Sequence, residues 1–177
     1  YYKRNRSTLT YQSIDTVVDT KSNIMYGASL KGYQYTANSG IPPYPSTLEA
    51  GAYEFGGWYT TAGCYPGTEM DFDSATMPNG DMILYAKWEP VTHTVQFYKQ
   101  KGTDGTYQEK IGDTYEVKHG SKLNEQYIPE APEDFENGAY SFAGWWYTDG
   151  DTEHRFDFKS LPVTEDLVVF AKWTSNK

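Results

Sequence analysis

The chain has 177 residues, a net charge of −9 and an aromatic fraction of 17%. Disordered chains are poor in aromatics, so a packed core is expected. The acidic balance excludes a nucleic-acid or anionic-membrane partner, because phosphate contacts need clustered Lys and Arg, and no run approaches the ~18 apolar residues that cross a bilayer.

From its first residue the chain reads as an excised or mature fragment, since it opens on Tyr and carries no signal peptide. Self-similarity then organises everything that follows. Tyr2-Lys3 matches Tyr98-Lys99, and Thr10-Tyr11-Gln12 matches Thr106-Tyr107-Gln108, both at an offset of 96. Gly27-x-x-Leu30 matches Gly120-x-x-Leu123. Gly51-Ala52-Tyr53-x-Phe55-x-Gly57-Trp58 matches Gly138-Ala139-Tyr140-x-Phe142-x-Gly144-Trp145. Asp71-Phe72, Pro78, Asp81 and Ala86-Lys87-Trp88 match Asp157-Phe158, Pro162, Asp166 and Ala171-Lys172-Trp173. Two modules are expected, 1–90 and 91–177, divided in Glu89-Pro90-Val91, where proline removes a ladder donor. The pairing of Tyr1-Tyr2 with Phe97-Tyr98 implies that the first copy begins inside its first strand.

In the second copy, Thr94 to Tyr98 alternates as a strand, and Thr106 to His119 is its hairpin partner across the turn Gly102–Gly105. Pro129 and Pro132 allow at most one short helix near Ile128–Pro132. Tyr140 to Tyr147 is a third strand, with Gly144 marking a bulge and Trp146 an extra aromatic relative to the first copy. Phe156-Asp157-Phe158 is a short strand. Asp166 to Trp173 is the last, with Leu167, Val169, Ala171 and Trp173 on one face, matching Met82, Leu84, Ala86 and Trp88. Lys87 and Lys172 mark the other face as the wetter one. The two cores are therefore expected on Phe55, Trp58, Phe72, Leu84 and Trp88, and on Phe142, Trp145, Phe158, Val169 and Trp173.

The string Gly-Ala-Tyr-x-Phe-x-Gly-Trp, then Asp-Phe, then Asp-x-x-x-Tyr/Phe-Ala-Lys-Trp, with Tyr26-Gly27-x-x-Leu30 upstream, resembles the Listeria–Bacteroides repeat, or internalin B-repeat-like module. The second copy departs from it in having His119 where the first has Tyr26. The resemblance covers nearly the whole chain. It implies an α+β, mostly β fold: two tandem β-grasp (ubiquitin-like) modules, each a small mixed sheet. It further implies extracellular proteins, secreted or attached to the bacterial cell wall, in which such modules sit in tandem in adhesins, with no catalytic residues to carry over and poorly defined ligands.

The residues give little chemistry of their own. The three histidines, His93, His119 and His154, are scattered through the second copy only. Cys64 is the sole cysteine, which rules out a disulfide within the chain. The carboxylates of Asp71-Phe72-Asp73 and Asp149-x-Asp151-x-Glu153 are too short a series for a calcium loop. No catalytic residue, metal or cofactor is expected. The aromatics outside the shared core pattern, Tyr33, Tyr35, Tyr44, Trp146 and Tyr147, are the candidate ligand contacts. The expected role is a spacer and presentation module of a surface protein, with neighbouring repeats of the same chain as partners. The alternative is a glycan- or mucin-binding module that meets a host glycan or host surface protein.

Overall fold

The computed structural model describes residues 5–133, 136 and 138–177. The pairing inferred for Tyr1-Tyr2 and Tyr2-Lys3 lies outside the described residues. The chain divides into two compact units, Tyr1–Glu89 and Pro90–Lys177.

The first unit holds β1 (Arg6–Ser13), β2 (Thr16–Met25), β3 (Tyr53–Tyr59) and β4 (Met82–Pro90) in the order β2-β1-β4-β3. The second holds β5 (Thr92–Lys101), β6 (Tyr107–Lys118), β7 (Tyr140–Asp149), β8 (Thr152–Arg155) and β9 (Leu167–Ser175) in the order β6-β5-β9-β7-β8. In each, a hairpin is joined to the last strand by a parallel pair, β1 with β4 and β5 with β9. This mixed sheet is the β-grasp arrangement. The crossover after the hairpin carries only 3-10 turns, Lys31–Tyr33 and Ala37–Gly40 in the first unit and Glu125–Tyr127 in the second. Prolines in both crossovers keep it from becoming a longer helix.

The strand registers correct part of the sequence alignment. Leu9 faces Met82 as Val95 faces Leu167. The Thr8 amide donates to the Asp81 carboxylate at 2.7 Å, and the Thr94 amide to Asp166 at 2.7 Å. Arg6–Ser13 is therefore the counterpart of the start of β5, at an offset of 86, and the match of Thr10-Tyr11-Gln12 with Thr106-Tyr107-Gln108 is coincidental. β1 begins at Arg6, the counterpart of Thr92 at the start of β5. After the hairpin the offset is 93, because Ile24 and Val117 fill the same core position. The second hairpin is thus seven residues longer. Met77 and Val163 likewise coincide, donating to the carbonyls of Ala28 and Ser121, so Pro78 and Pro162 are not equivalent.

Three further expectations are corrected. Phe156-Asp157-Phe158 is not a strand; β8 precedes it, and Phe156 turns into the core. Trp146 is not an insertion, because it occupies the place of Tyr59: each ring lies beneath a lysine of the last strand, Lys172 at 4.1 Å and Lys87 at 5.2 Å. The bulge expected at Gly144 is present, as a register shift between Phe142 and Trp145, and Gly57 and Gly144 share positive φ values of 112° and 104°. There glycine is required by the backbone itself, since side chains are disfavoured at that φ. Finally, the face opposite the core is not uniformly wet. Phe170 is only 3% exposed, because the longer hairpin brings Tyr107 and Lys101 over it.

Each core is built round one tryptophan. Trp58 packs edge-on against Tyr11 (4.9 Å) and Phe55 (5.5 Å), and Trp145 against Phe97 (5.1 Å) and Phe142 (5.2 Å). Leu84 and Val169 are fully buried, while Phe55, Phe72, Trp88, Phe142, Phe158 and Trp173 are half-buried against the same clusters. Leu9, Tyr11, Ile24, Leu30 and Met77 complete the first core; Val95, Phe97, Val117, Leu123 and Val163 complete the second.

Candidate functional site

The structure disperses the five candidate contact aromatics. Tyr35 is buried, its ring against Tyr11 and Trp58. It is a core residue and has no face to offer a ligand, which corrects its assignment as a contact. Tyr33 is half-buried on the same core, and its carbonyl accepts the Tyr11 hydroxyl. Trp146 and Tyr147 are adjacent in a strand and so lie on opposite faces. Tyr147 packs on the second core beside Phe156 and His154, and Trp146 lies under Lys172 on the other side. They cannot form one platform.

Tyr44 is different. It is 39% exposed. Its hydroxyl donates to the Glu49 carbonyl at 2.5 Å and accepts from the Tyr53 amide at 3.2 Å. Its ring meets Trp88 edge-on at 5.2 Å. These contacts fix it at the lip of a groove of about 460 Å³ between the β1–β2 turn and the Pro43–Thr47 loop. Ile14 and Val17, 37% and 57% exposed, form the opposite wall, with Asp15 and Ser46 as polar groups. Sequence reasoning found Tyr44 through the longer loop of the first copy, but missed Ile14 and Val17, whose exposure no period-two pattern signals.

A second groove, of about 450 Å³, lies on the outer face of the second module, between the long hairpin and β9. Glu153 stands in it as a bridge, 3.2 Å from Lys101 Nζ and 3.0 Å from Lys172 Nζ. The Lys172 and Lys101 ammonium groups hold its carboxyl below the usual range. Each lysine also covers a ring, Phe170 or Trp146. The seven extra hairpin residues create this groove, and the alignment error at the first strand hid them.

Of the carboxylates weighed as calcium ligands, Asp71, Asp73 and Glu153 bind groups of the chain itself. Asp71 accepts from the Ser74 hydroxyl (2.6 Å) and the Asp73 amide (3.0 Å), and Asp157 does the same with Ser160 (2.6 Å) and Lys159 (3.1 Å). The serine bond, then the amide, holds each carboxyl below its ordinary range. Among the described residues no group of three or more His, Cys, Asp or Glu side chains is placed to hold a metal ion. The Cys64 thiol is free, and burial pushes its pKa up, away from nucleophilic use. The histidines are not all scattered: His93 and His119 meet, with Nε2 and Nδ1 2.9 Å apart.

Two units with the same mixed sheet, the same aromatic cluster and the same backbone-binding carboxylates define a tandem-repeat protein of the β-grasp class. The chain belongs to the Listeria-Bacteroides repeat family, whose model matches residues 8–87 and again 93–172. It is similar to a putative membrane protein of Evansella cellulosilytica, 29% identical over 75% of this chain and 18% of that protein. A putative Gly-rich membrane protein of the same organism is 32% identical over 75% of this chain and 13% of its own length. Internalin H of Listeria monocytogenes is 29% identical over 75% of this chain and 21% of its own length. The chain therefore spans a fifth or less of the length of most of these relatives. Among the described residues no helix is long and apolar enough to cross a membrane.

Proposed function

We propose that this chain is a non-catalytic segment of a bacterial surface protein, acting outside the cell as a spacer and presentation unit. The observation that carries this is what the two copies share. Shared positions face inward or bind backbone: Trp58 and Trp145, Phe72 and Phe158, Asp81 and Asp166. Away from the core the copies share the lysine of the last strand over an aromatic, but differ elsewhere, as at Tyr26 and His119. Repetition of a fold with only partial repetition of a surface suits a role in reach rather than in chemistry. The names of the relatives, membrane proteins and an internalin, agree with a place at the cell surface. The test is to delete this segment from its parent protein and label intact cells with an antibody to the region beyond it. Labelling should fall, and an unrelated folded spacer of similar length should restore it. Unchanged labelling of the deletion would defeat the proposal.

The first-module groove favours a second reading, a glycan- or mucin-binding module. Tyr44 is held rigid at a lip that also offers Asp15 and Ser46, and rigid aromatics with polar neighbours suit sugars. A glycan and host-protein array decides it: binding lost in Tyr44→Ala supports this reading, and no binding, or binding unaffected by that change, removes it.

A further inference from the structure

His93 and His119 come together from two places that the backbone fixes. His93 lies in β5 opposite Val117, and the His119 amide donates to the Val91 carbonyl at 2.7 Å. Their ring nitrogens stand 2.9 Å apart and the ring centroids 5.2 Å apart. His93 is half-buried, its side chain 16% exposed, and its other nitrogen is 3.9 Å from the Asp166 carboxylate.

The fold does not need this pair. The equivalent positions in the first module are Ser7, buried, and Tyr26, 67% exposed. Asp166 has a separate reason to exist, since both it and Asp81 receive a backbone amide at the start of the parallel pair. The second module has therefore placed two imidazoles nitrogen to nitrogen at positions where the same scaffold folds with other residues.

Two unprotonated ring nitrogens repel at this distance, so one of them carries the hydrogen of an N–H···N bond. We propose that the pair is a two-nitrogen site for a late first-row divalent metal ion such as zinc. Two imidazoles on tetrahedral zinc, with Zn–N of about 2.0–2.1 Å, hold their nitrogens about 3.3–3.4 Å apart, so the 2.9 Å separation of the hydrogen-bonded pair has to open by about half an ångström. Binding requires each ring to pivot about its place without the strands moving. The ring that donates in the N–H···N bond shifts its hydrogen to its other nitrogen, so that both lone pairs face the ion. Asp166, which accepts from the Thr94 amide, is 3.9 Å from the far nitrogen of His93 and could accept from it once the ring pivots. With two protein ligands, water completes the coordination.

The experiment titrates ZnCl2 into the whole chain carrying Cys64→Ser, following amide and histidine resonances and the thermal midpoint. Resonances around His93 and His119 should shift, the second module's midpoint should rise, and EDTA should reverse both. His93→Ser and His119→Tyr install the first module's own residues, so the fold should survive. Each should weaken binding roughly tenfold or more, since either removes one of two ligands. His154→Gln should bind like the parent. No shift at millimolar zinc, or binding that survives both His93→Ser and His119→Tyr, would overturn the proposal.

Discussion

Trp58 and Trp145 hold the same place in their cores but differ at one atom. The Trp145 indole N–H donates to the Pro129 carbonyl at 3.3 Å. The Trp58 indole nitrogen is buried with no partner among the described residues. A buried donor without a partner carries an uncompensated desolvation cost of about 1–3 kcal/mol. Phenylalanine at position 58 removes that cost along with part of the ring, whereas at position 145 it strands the Pro129 carbonyl. Trp58→Phe is therefore expected to destabilise its module less than Trp145→Phe does, by about 1 kcal/mol, in urea unfolding followed module by module. Equal losses, or a larger loss at position 58, would show that ring volume alone decides the cost.

At the scale of elements, Glu153 ties β8 to β5 and β9 through Lys101 and Lys172. The hydrogen bond from Lys172, then that from Lys101, lowers its pKa below the ordinary 4.5. A carboxyl depressed in the folded state contributes stability that is complete above its unfolded value and lost as pH falls through the folded one. With a third of the side chain open to water, the contribution is discounted to about 0.5–1 kcal/mol. Glu153→Gln should thus weaken the second module near pH 6 and converge with the parent near pH 3 in urea titrations at both values. A constant difference across that range would mean that the charge is not what ties the strands. Last strands and tryptophans were legible in the sequence because a period of two and a repeated aromatic leave a local signature. Tyr11 and Phe97 were not, because a fortuitous Thr-Tyr-Gln match slid the first strand by ten residues and hid the seven-residue hairpin extension. The grooves were illegible for a related reason. Ile14 and Val17 are exposed by a turn next to a loop distant in sequence, and His93 meets His119 only through the β5–β6 register.

For the molecule as a whole, the two hydrophobic clusters share no residue. A module of 85–90 residues has a stability of about 5–10 kcal/mol, and truncating a buried tryptophan removes roughly 3–5 kcal/mol of it. If each cluster is a cooperative unit, the damage stays where it is made. Calorimetry of Trp145→Ala should show the second module's transition moved well down or lost, and the first module's transition in place. Trp58→Ala should give the converse, and the separate chains 1–89 and 90–177 should each fold with about half the unfolding enthalpy of the whole, on the order of 60 kcal/mol. A single transition that shifts as one in either variant would mean that the modules fold as a unit. A spacer built from such modules would then lose its whole length on the failure of one core, whereas independent modules confine the loss to one.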